Sequence, residues 1–283
     1  MNFDTLFIDE REKGETPLRQ SQLVMLRMLK IMDYLCNKHD IRYFLTGGSL
    51  LGAIRHQGFI PWDDDLDIGM TRDNYEKFIK LAVPELPNDI FFQNPETDPH
   101  YSQKSNVEAR LRDKYSSYDH IGIENHKWHE GLQVDIFVYD QAFLPHNFFI
   151  VSLNVILKRL NNKKKRARVL KALSKFSALG LVYASNFLQS SPAIKTGTNY
   201  VKAKEIAQLQ RKKFEDTEFY VPQGWHACLK RQYGDYMQLP PEEKRTSHHK
   251  VTLHPFTPCN HSQILYWKDR KSIQPQPAPD KAL

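Results

Sequence analysis

Cysteine is scarce in this chain: Cys36, Cys228 and Cys259 make an odd number with no CxxC pair. Neither a disulfide framework nor a cysteine-rich zinc site is indicated, and the usage fits a reducing compartment. With 12 Gly and 16 Pro in 283 residues, the chain is neither collagenous nor of low complexity. No repeat recurs at a period of about 20 to 50 residues, which excludes a solenoid or propeller. No run reaches the roughly 18 to 20 strongly apolar residues of a spanning helix. The N-terminal stretch mixes Asp4, Asp9, Glu10, Arg11, Glu12 and Lys13 without an apolar segment, so no secretory signal is expected. What the chain does have is 40% hydrophobic and 12% aromatic residues, enough for a proper core, and dominant disorder is excluded.

Acidic residues are missing from one long stretch. Gln141 to Lys204 holds twelve Lys or Arg and no Asp or Glu, so the rest of the chain, with 28 basic and 33 acidic residues, is net −5. The overall charge of +7 belongs to one segment. A basic isoelectric point therefore does not make the molecule a nucleic-acid binder, and no nucleic-acid partner is expected. Within the segment, uncharged stretches at 142–157 and 176–194 flank a turn rich in Lys163, Lys164, Lys165 and Arg166. This predicts two apolar helical pieces around a cationic hinge, suited either to an anionic membrane surface or to a lid over the catalytic domain.

The remaining pattern alternates helix and strand. Pro17 followed by an apolar stripe from Leu18 to Cys36 predicts a helix to about Asn37. Ile41 to Leu45 predicts a buried strand ending at Thr46-Gly47-Gly48-Ser49, with helical spacing resuming from Ser49 to Arg55. Strands are expected at 107–112 and 132–139, helices from Thr71 or Asp73 through Lys80 and from Ala203 to Phe214. The Pro-rich 274–279 stretch predicts a flexible tail.

The chemistry concentrates in Asp63-Asp64-Asp65-Leu66-Asp67-Ile68. Asp65 and Asp67 are two apart in a strand-like run, so they share one face while Leu66 and Ile68 share the other. Two such carboxylates repel unless a cation lies between them, and oxygen ligands of this kind suit Mg²⁺ together with substrate phosphates. Asp63 adds a third if the strand begins early. Gly47-Gly48-Ser49, between strand and helix N-terminus, offers backbone N–H groups to an anion. Asp135, within Val134-Asp135-Ile136-Phe137, predicts a carboxylate on a neighbouring strand. Arg55, Arg110 and Arg112 are phosphate partners by charge. Trp62 can stack on a base or a quaternary amine, or pack in the core.

The run from Leu45 to Ile68, with Thr46-Gly47-Gly48-Ser49, Arg55-His56-Gln57-Gly58 and Trp62-Asp63-Asp64-Asp65-Leu66-Asp67, closely resembles the LicD family, which includes bacterial phosphocholine transferases and the fukutin group. The resemblance continues through Arg72 to Phe78 and reappears at 134–137, at Tyr233-Gly234-Asp235-Tyr236-Met237 and at Pro240-Pro241-Glu242-Glu243-Lys244-Arg245. It thus covers most of residues 18 to 249, in order though with gaps.

The resemblance implies an α+β, nucleotidyltransferase-like fold: a small mixed sheet flanked by helices, here with a basic helical insertion. It implies a phosphotransferase that moves a phosphoalcohol, phosphocholine first, from a CDP-linked donor such as CDP-choline to a glycan or glycolipid hydroxyl. The competing readings are an NTP-using nucleotidyltransferase and a catalytically silent basic module that binds membrane or RNA. On the implied reading Gly48, Ser49 and Arg55 hold donor phosphate. Asp65, Asp67 and Asp135 are catalytic and bind Mg²⁺ or Mn²⁺, Asp135 as ligand or base. The expected organisation is an N-terminal extension at 1–16, a catalytic domain at 17–140 and 205–270, the insertion at 141–204 and a tail at 271–283. The expected location is cytoplasmic, peripheral at the inner face of the membrane. Of the late group His248, His249, His254, Cys259 and His261, no zinc site is expected, because the spacing matches no finger pattern; solvated or locally hydrogen-bonded histidines are.

Overall fold

The computed structural model describes residues 3–101, 107–121, 127–143, 165, 168–169, 172, 181–185, 200–247 and 249–259. Helix α1 (Phe3–Leu6) and a 3₁₀ turn (Arg11–Lys13) lead into α2 (Pro17–Lys38). Thr16 caps α2, its hydroxyl accepting from the Arg19 N–H at 3.2 Å, and Pro17 occupies the first helical position, where its missing N–H costs nothing. The predicted stripe is buried: Met25, Leu29, Met32 and Leu35 are inaccessible to solvent and pack beneath the central sheet.

Strands β1 (Phe44–Leu45), β2 (Asp67–Thr71), β3 (Ile90–Gln93), β4 (Ala109–Asp113) and β6 (Gln133–Phe143) run in the order β1-β2-β6-β4-β3. β2 and β6 are parallel and the other pairs in this path antiparallel, so the sheet is mixed. The expected buried strand at 41–45 is only two residues of ladder, because it pairs with β2 at Phe44 and Leu45 alone. α3 (Gly47–Arg55) follows directly, and α4 (Arg72–Lys77) continues through a π turn at Phe78–Ala82. Two-residue alternation is visible at the centre: Leu66 and Ile68 are fully buried, while Asp65 and Asp67 open on the opposite side into a cleft.

Two expectations fail. Part of the stretch read as an apolar helix, residues 181–185, is strand β7 (Leu181–Ser185), paired antiparallel with the Tyr139–Phe143 half of β6 and with β8 (Tyr200–Lys202). The Tyr139–Phe143 half of β6 supplies a ladder to a Leu-Val-Tyr run whose residues favour strands. Within 165–172 the described residues Lys165, Arg168, Val169 and Ala172 are helical; Lys163, Lys164, Arg166 and the 271–283 tail lie outside the described residues. The helix expected at 203–214 stops as α5 (Ala203–Ile206) and becomes a hairpin of β9 (Leu209–Phe214) and β10 (Thr217–Pro222). Its turn carries Glu215 at φ 58°, and Phe214 and Phe219 enter the core. α6 (Trp225–Tyr233) and a second ribbon of β5 (Ser117–His120) with β11 (Val251–His254) complete the fold.

The N-terminal segment is packed against this body. Arg11 is buried in a 2.9 Å ion pair with Asp113 at the end of β4, and Arg27 joins α2 to Asp4 and Asp89. Among the described residues no helix is long and apolar enough to cross a membrane.

Candidate active site

A cleft of about 770 Å³ opens where α3 meets β2. Its floor is Gly47, Gly48, Asp63, Asp65 and Asp67; the far wall comes from the end of α6 and the segment after it, with Tyr233, Tyr236, Lys244 and His249. The two sequence motifs therefore meet in one place. Gly47 sits at φ +55°, a conformation that L side chains avoid. A Cβ there would come within 2.7 Å of an Asp67 carboxylate oxygen, and one on Gly48 within 2.7 Å of an Asp63 oxygen. Backbone at the start of α3 is thus pressed directly onto the carboxylates, with no side chain between them.

The carboxylates lack enough positive charge. Burial, then the charges of Asp65 and Asp64, push Asp63 up to about 8, and Asp63 and Asp65 are hydrogen-bonded to each other. Burial and the Asp135 charge raise Asp65 to about 6, although His249 works the other way. Asp67 is held well above the usual carboxylate range by burial and by Asp65, Asp135 and Asp63, with Arg110 opposing. Asp135 is placed by the sheet: in the β2–β6 register it stands opposite Asp67, and in the β4–β6 register opposite Arg110. The Arg110 Nε donates to Asp135 Oδ1 at 2.7 Å, so this carboxylate is already ion-paired. Among the described residues, no three His, Cys, Asp or Glu side chains converge as a ready-made metal shell.

The residues expected to hold phosphate divide. Gly48 lines the cleft. Ser49 is buried in the first turn of α3 and does not line it; its hydroxyl accepts the Asp67 N–H at 2.7 Å and so pins the carboxylate strand to the helix. Arg55 lines the cleft, donating to His56 Nε2 at 2.9 Å and to the Tyr236 carbonyl at 3.0 Å. Among the described residues it has no carboxylate partner, and burial lowers its pKa. Arg112 is elsewhere, wholly buried and hydrogen-bonded to Gln93 and the Gly131 carbonyl. Trp62 packs partly on the core, as expected, and also lines the cleft, edge-on to His56 at 6.1 Å.

His249 is the residue that the sequence did not disclose. It is exposed on one side and hydrogen-bonded on the other: its Nδ1 lies 3.0 Å from Asp64 Oδ1 and its Nε2 lies 3.9 Å from Asp65 Oδ2. The hydrogen bond to Asp64 raises the imidazole to about 9 against the opposing effect of burial. Nothing in spacing links positions 64 and 249; only the β5–β11 ribbon brings them together. Tyr233 and Lys244 were visible as part of a family-like segment, but their place on the cleft wall was not.

Comparisons with known proteins place the chain in a family. The LicD/FKTN/FKRP nucleotidyltransferase domain matches residues 40–181. The lipopolysaccharide cholinephosphotransferase LicD of Haemophilus influenzae is 30% identical over 264 residues, which cover 82% of this chain and 96% of that protein. An uncharacterized protein of Rickettsia typhi is 28% identical over 178 residues, 48% of this chain and 54% of that protein. Human ribitol 5-phosphate transferase FKRP is 63% identical over 30 residues, 11% of this chain and 6% of that protein. The match to the domain over half the chain, and to the Haemophilus protein over nearly its whole length, make this chain a member of the LicD/FKTN/FKRP family and a phosphotransferase.

Proposed function

We propose that the protein moves a phosphoalcohol, phosphocholine first, from a CDP-linked donor to a hydroxyl of a cell-surface glycan or lipopolysaccharide precursor. The observation that carries this is the direct apposition of the Gly47-Gly48 backbone turn and the Asp63, Asp65 and Asp67 carboxylates in one cleft. Helix-terminal N–H groups and Arg55 can receive donor phosphate at one side of that cleft. The near full-length similarity to a cholinephosphotransferase supports the choice of choline, and a ribitol phosphate relative supports the broader class of phosphorylated alcohols.

A divalent ion fits the carboxylate set. Asp65 and Asp67 would hold Mg²⁺ or Mn²⁺, which needs one or two carboxylates and takes its remaining oxygens from water and substrate. The raised Asp63, Asp65 and Asp67 register the charge that such an ion would remove. When bound, the ion would neutralise diphosphate charge as the CMP group leaves. Asp135, committed to Arg110, is a weak candidate for the base; its position in register with Asp67 makes it a fixed part of the charge pattern instead. The Trp62 face can take the quaternary ammonium or the base of the donor.

The test is to incubate purified protein with Mg²⁺, a panel of CDP-alcohols and glycan acceptors, and to follow CMP. Release that depends on acceptor and is stopped by chelation supports the proposal. Diphosphate release from an NTP, with no CMP from any CDP-alcohol, would replace it with a nucleotidyltransferase proper.

A further inference from the structure

Asp64 differs from its three acidic neighbours. It is 1% exposed and does not line the cleft, and both of its oxygens are engaged. Oδ1 faces His249 Nδ1 at 3.0 Å and Oδ2 accepts the Tyr118 hydroxyl at 3.2 Å. Tyr118 belongs to β5, and His249 lies two residues before β11, so the paired ribbon grips one buried carboxylate from both strands. A carboxylate only accepts, so the Nδ1 that faces it carries the hydrogen and the ring orientation is fixed. The opposite nitrogen, Nε2, is then aimed at the cleft, 3.9 Å from Asp65 Oδ2. Buried acid, oriented imidazole and reactive-site carboxylate form a chain that runs from inside the protein to the cleft floor.

We propose that His249 is a positioning residue, oriented by Asp64 and Tyr118, that fixes the Asp65 carboxylate in the cleft. The inference rests on the reading of Asp65 as a working carboxylate of the transferase site. It gives a role to His249 and β11, which lie outside the matched 40–181 domain but are joined to the acidic motif through β5. Groups that orient a ligating or reacting side chain typically cost on the order of 10- to 100-fold in activity or metal affinity when removed. The outward face of the ring is partly open, with a side-chain exposure of 40%, so its removal does not excavate the core.

Two measurements decide the matter. The first needs no substrate: ring ¹⁵N–¹H correlations of His249 are recorded at fixed neutral pH in wild type, Asp64→Asn and Asp65→Asn. Asp64→Asn should shift Nδ1 and Asp65→Asn should shift Nε2. A His249 spectrum unmoved by Asp65→Asn overturns the proposal, whatever the activity. The second is CMP release by His249→Gln with the CDP-alcohol that wild type uses. The expected result is a kcat lower by about 10- to 100-fold, with the donor KM within about twofold, measured where both proteins remain folded because the loss of Asp64's cationic partner lowers the thermal midpoint. An unchanged kcat also overturns it. If wild type turns over no CDP-alcohol, the donor assignment fails, and the ring spectrum still decides the role of His249 by itself.

Discussion

Asp67 and Asp135 face each other across the parallel register of β2 and β6, yet only Asp135 has a guanidinium in its ladder position on the other side. One carboxylate is ion-paired within the fold and the other is not. Arg110 is among the influences that lower Asp67, but burial and three acidic neighbours outweigh it. The asymmetry separates an acid whose charge its neighbours balance from one whose charge they do not.

Asp67→Asn should abolish transfer while making the protein more stable. The amide keeps the volume and sheds a charge that the surrounding side chains do not balance. Gains on the order of 1 kcal/mol, or about 2–4 °C for a chain of this size, are usual when a strained site is relaxed at the expense of function. The check is a thermal melt beside the CMP assay; a variant that melts lower than wild type would contradict the account of unbalanced charge.

Gly47→Ala and Gly48→Ala should separate backbone strain from crowding. At Gly47 a side chain meets both the left-handed φ and the Asp67 oxygen, so a loss of about 1–2 kcal/mol in stability is expected together with loss of activity. At Gly48 only the Asp63 oxygen is in the way. There the melt should hold near the wild-type value while donor KM rises, as measured by denaturation and by donor titration.

Much of this is legible in the sequence. The α2 stripe and the alternation through Leu66 and Ile68 are local patterns found where periodicity places them, and α3 follows β1 as expected but begins at Gly47, two residues before Ser49. Ser49 shows the limit: its position at a helix start suggested a ligand, but the hydroxyl is taken by the Asp67 N–H of a neighbouring strand. β7 and the β9–β10 hairpin were missed for a similar reason. Their strand character is supplied by partners elsewhere in the chain, the far half of β6 and the Thr217–Pro222 run. His249 is the extreme case, a site residue defined wholly by tertiary contact.

Arg110→Met should be strongly destabilising, and Asp135→Asn should rescue it. The pair is largely buried, with side-chain exposures of 14% and 8%. Removing one partner strands a buried charge, at a typical cost of about 3–5 kcal/mol, whereas removing both leaves no charge to strand. Urea denaturation of the two single variants and the double variant forms the required cycle. Additive losses in the double variant would show that the ion pair is not what holds Asp135 in place.

Glu130 predicts a pH dependence remote from the cleft. It is 8% exposed, and burial raises it to about 7, with the charge of Arg112 working in the opposite direction. Below about 4.5 both the folded and unfolded chains hold the proton, so the residue contributes nothing to the pH slope. Between about 4.5 and 7 the unfolded chain releases the proton while the folded chain keeps it. More protons are then bound in the native state, and stability must fall as pH rises. Above 7 the penalty is constant, at most about 3 kcal/mol. Glu130→Gln should therefore match wild type at pH 4 and exceed it at pH 8, by chemical denaturation at each pH. An equal gain at both would assign the effect to packing and not to the buried charge.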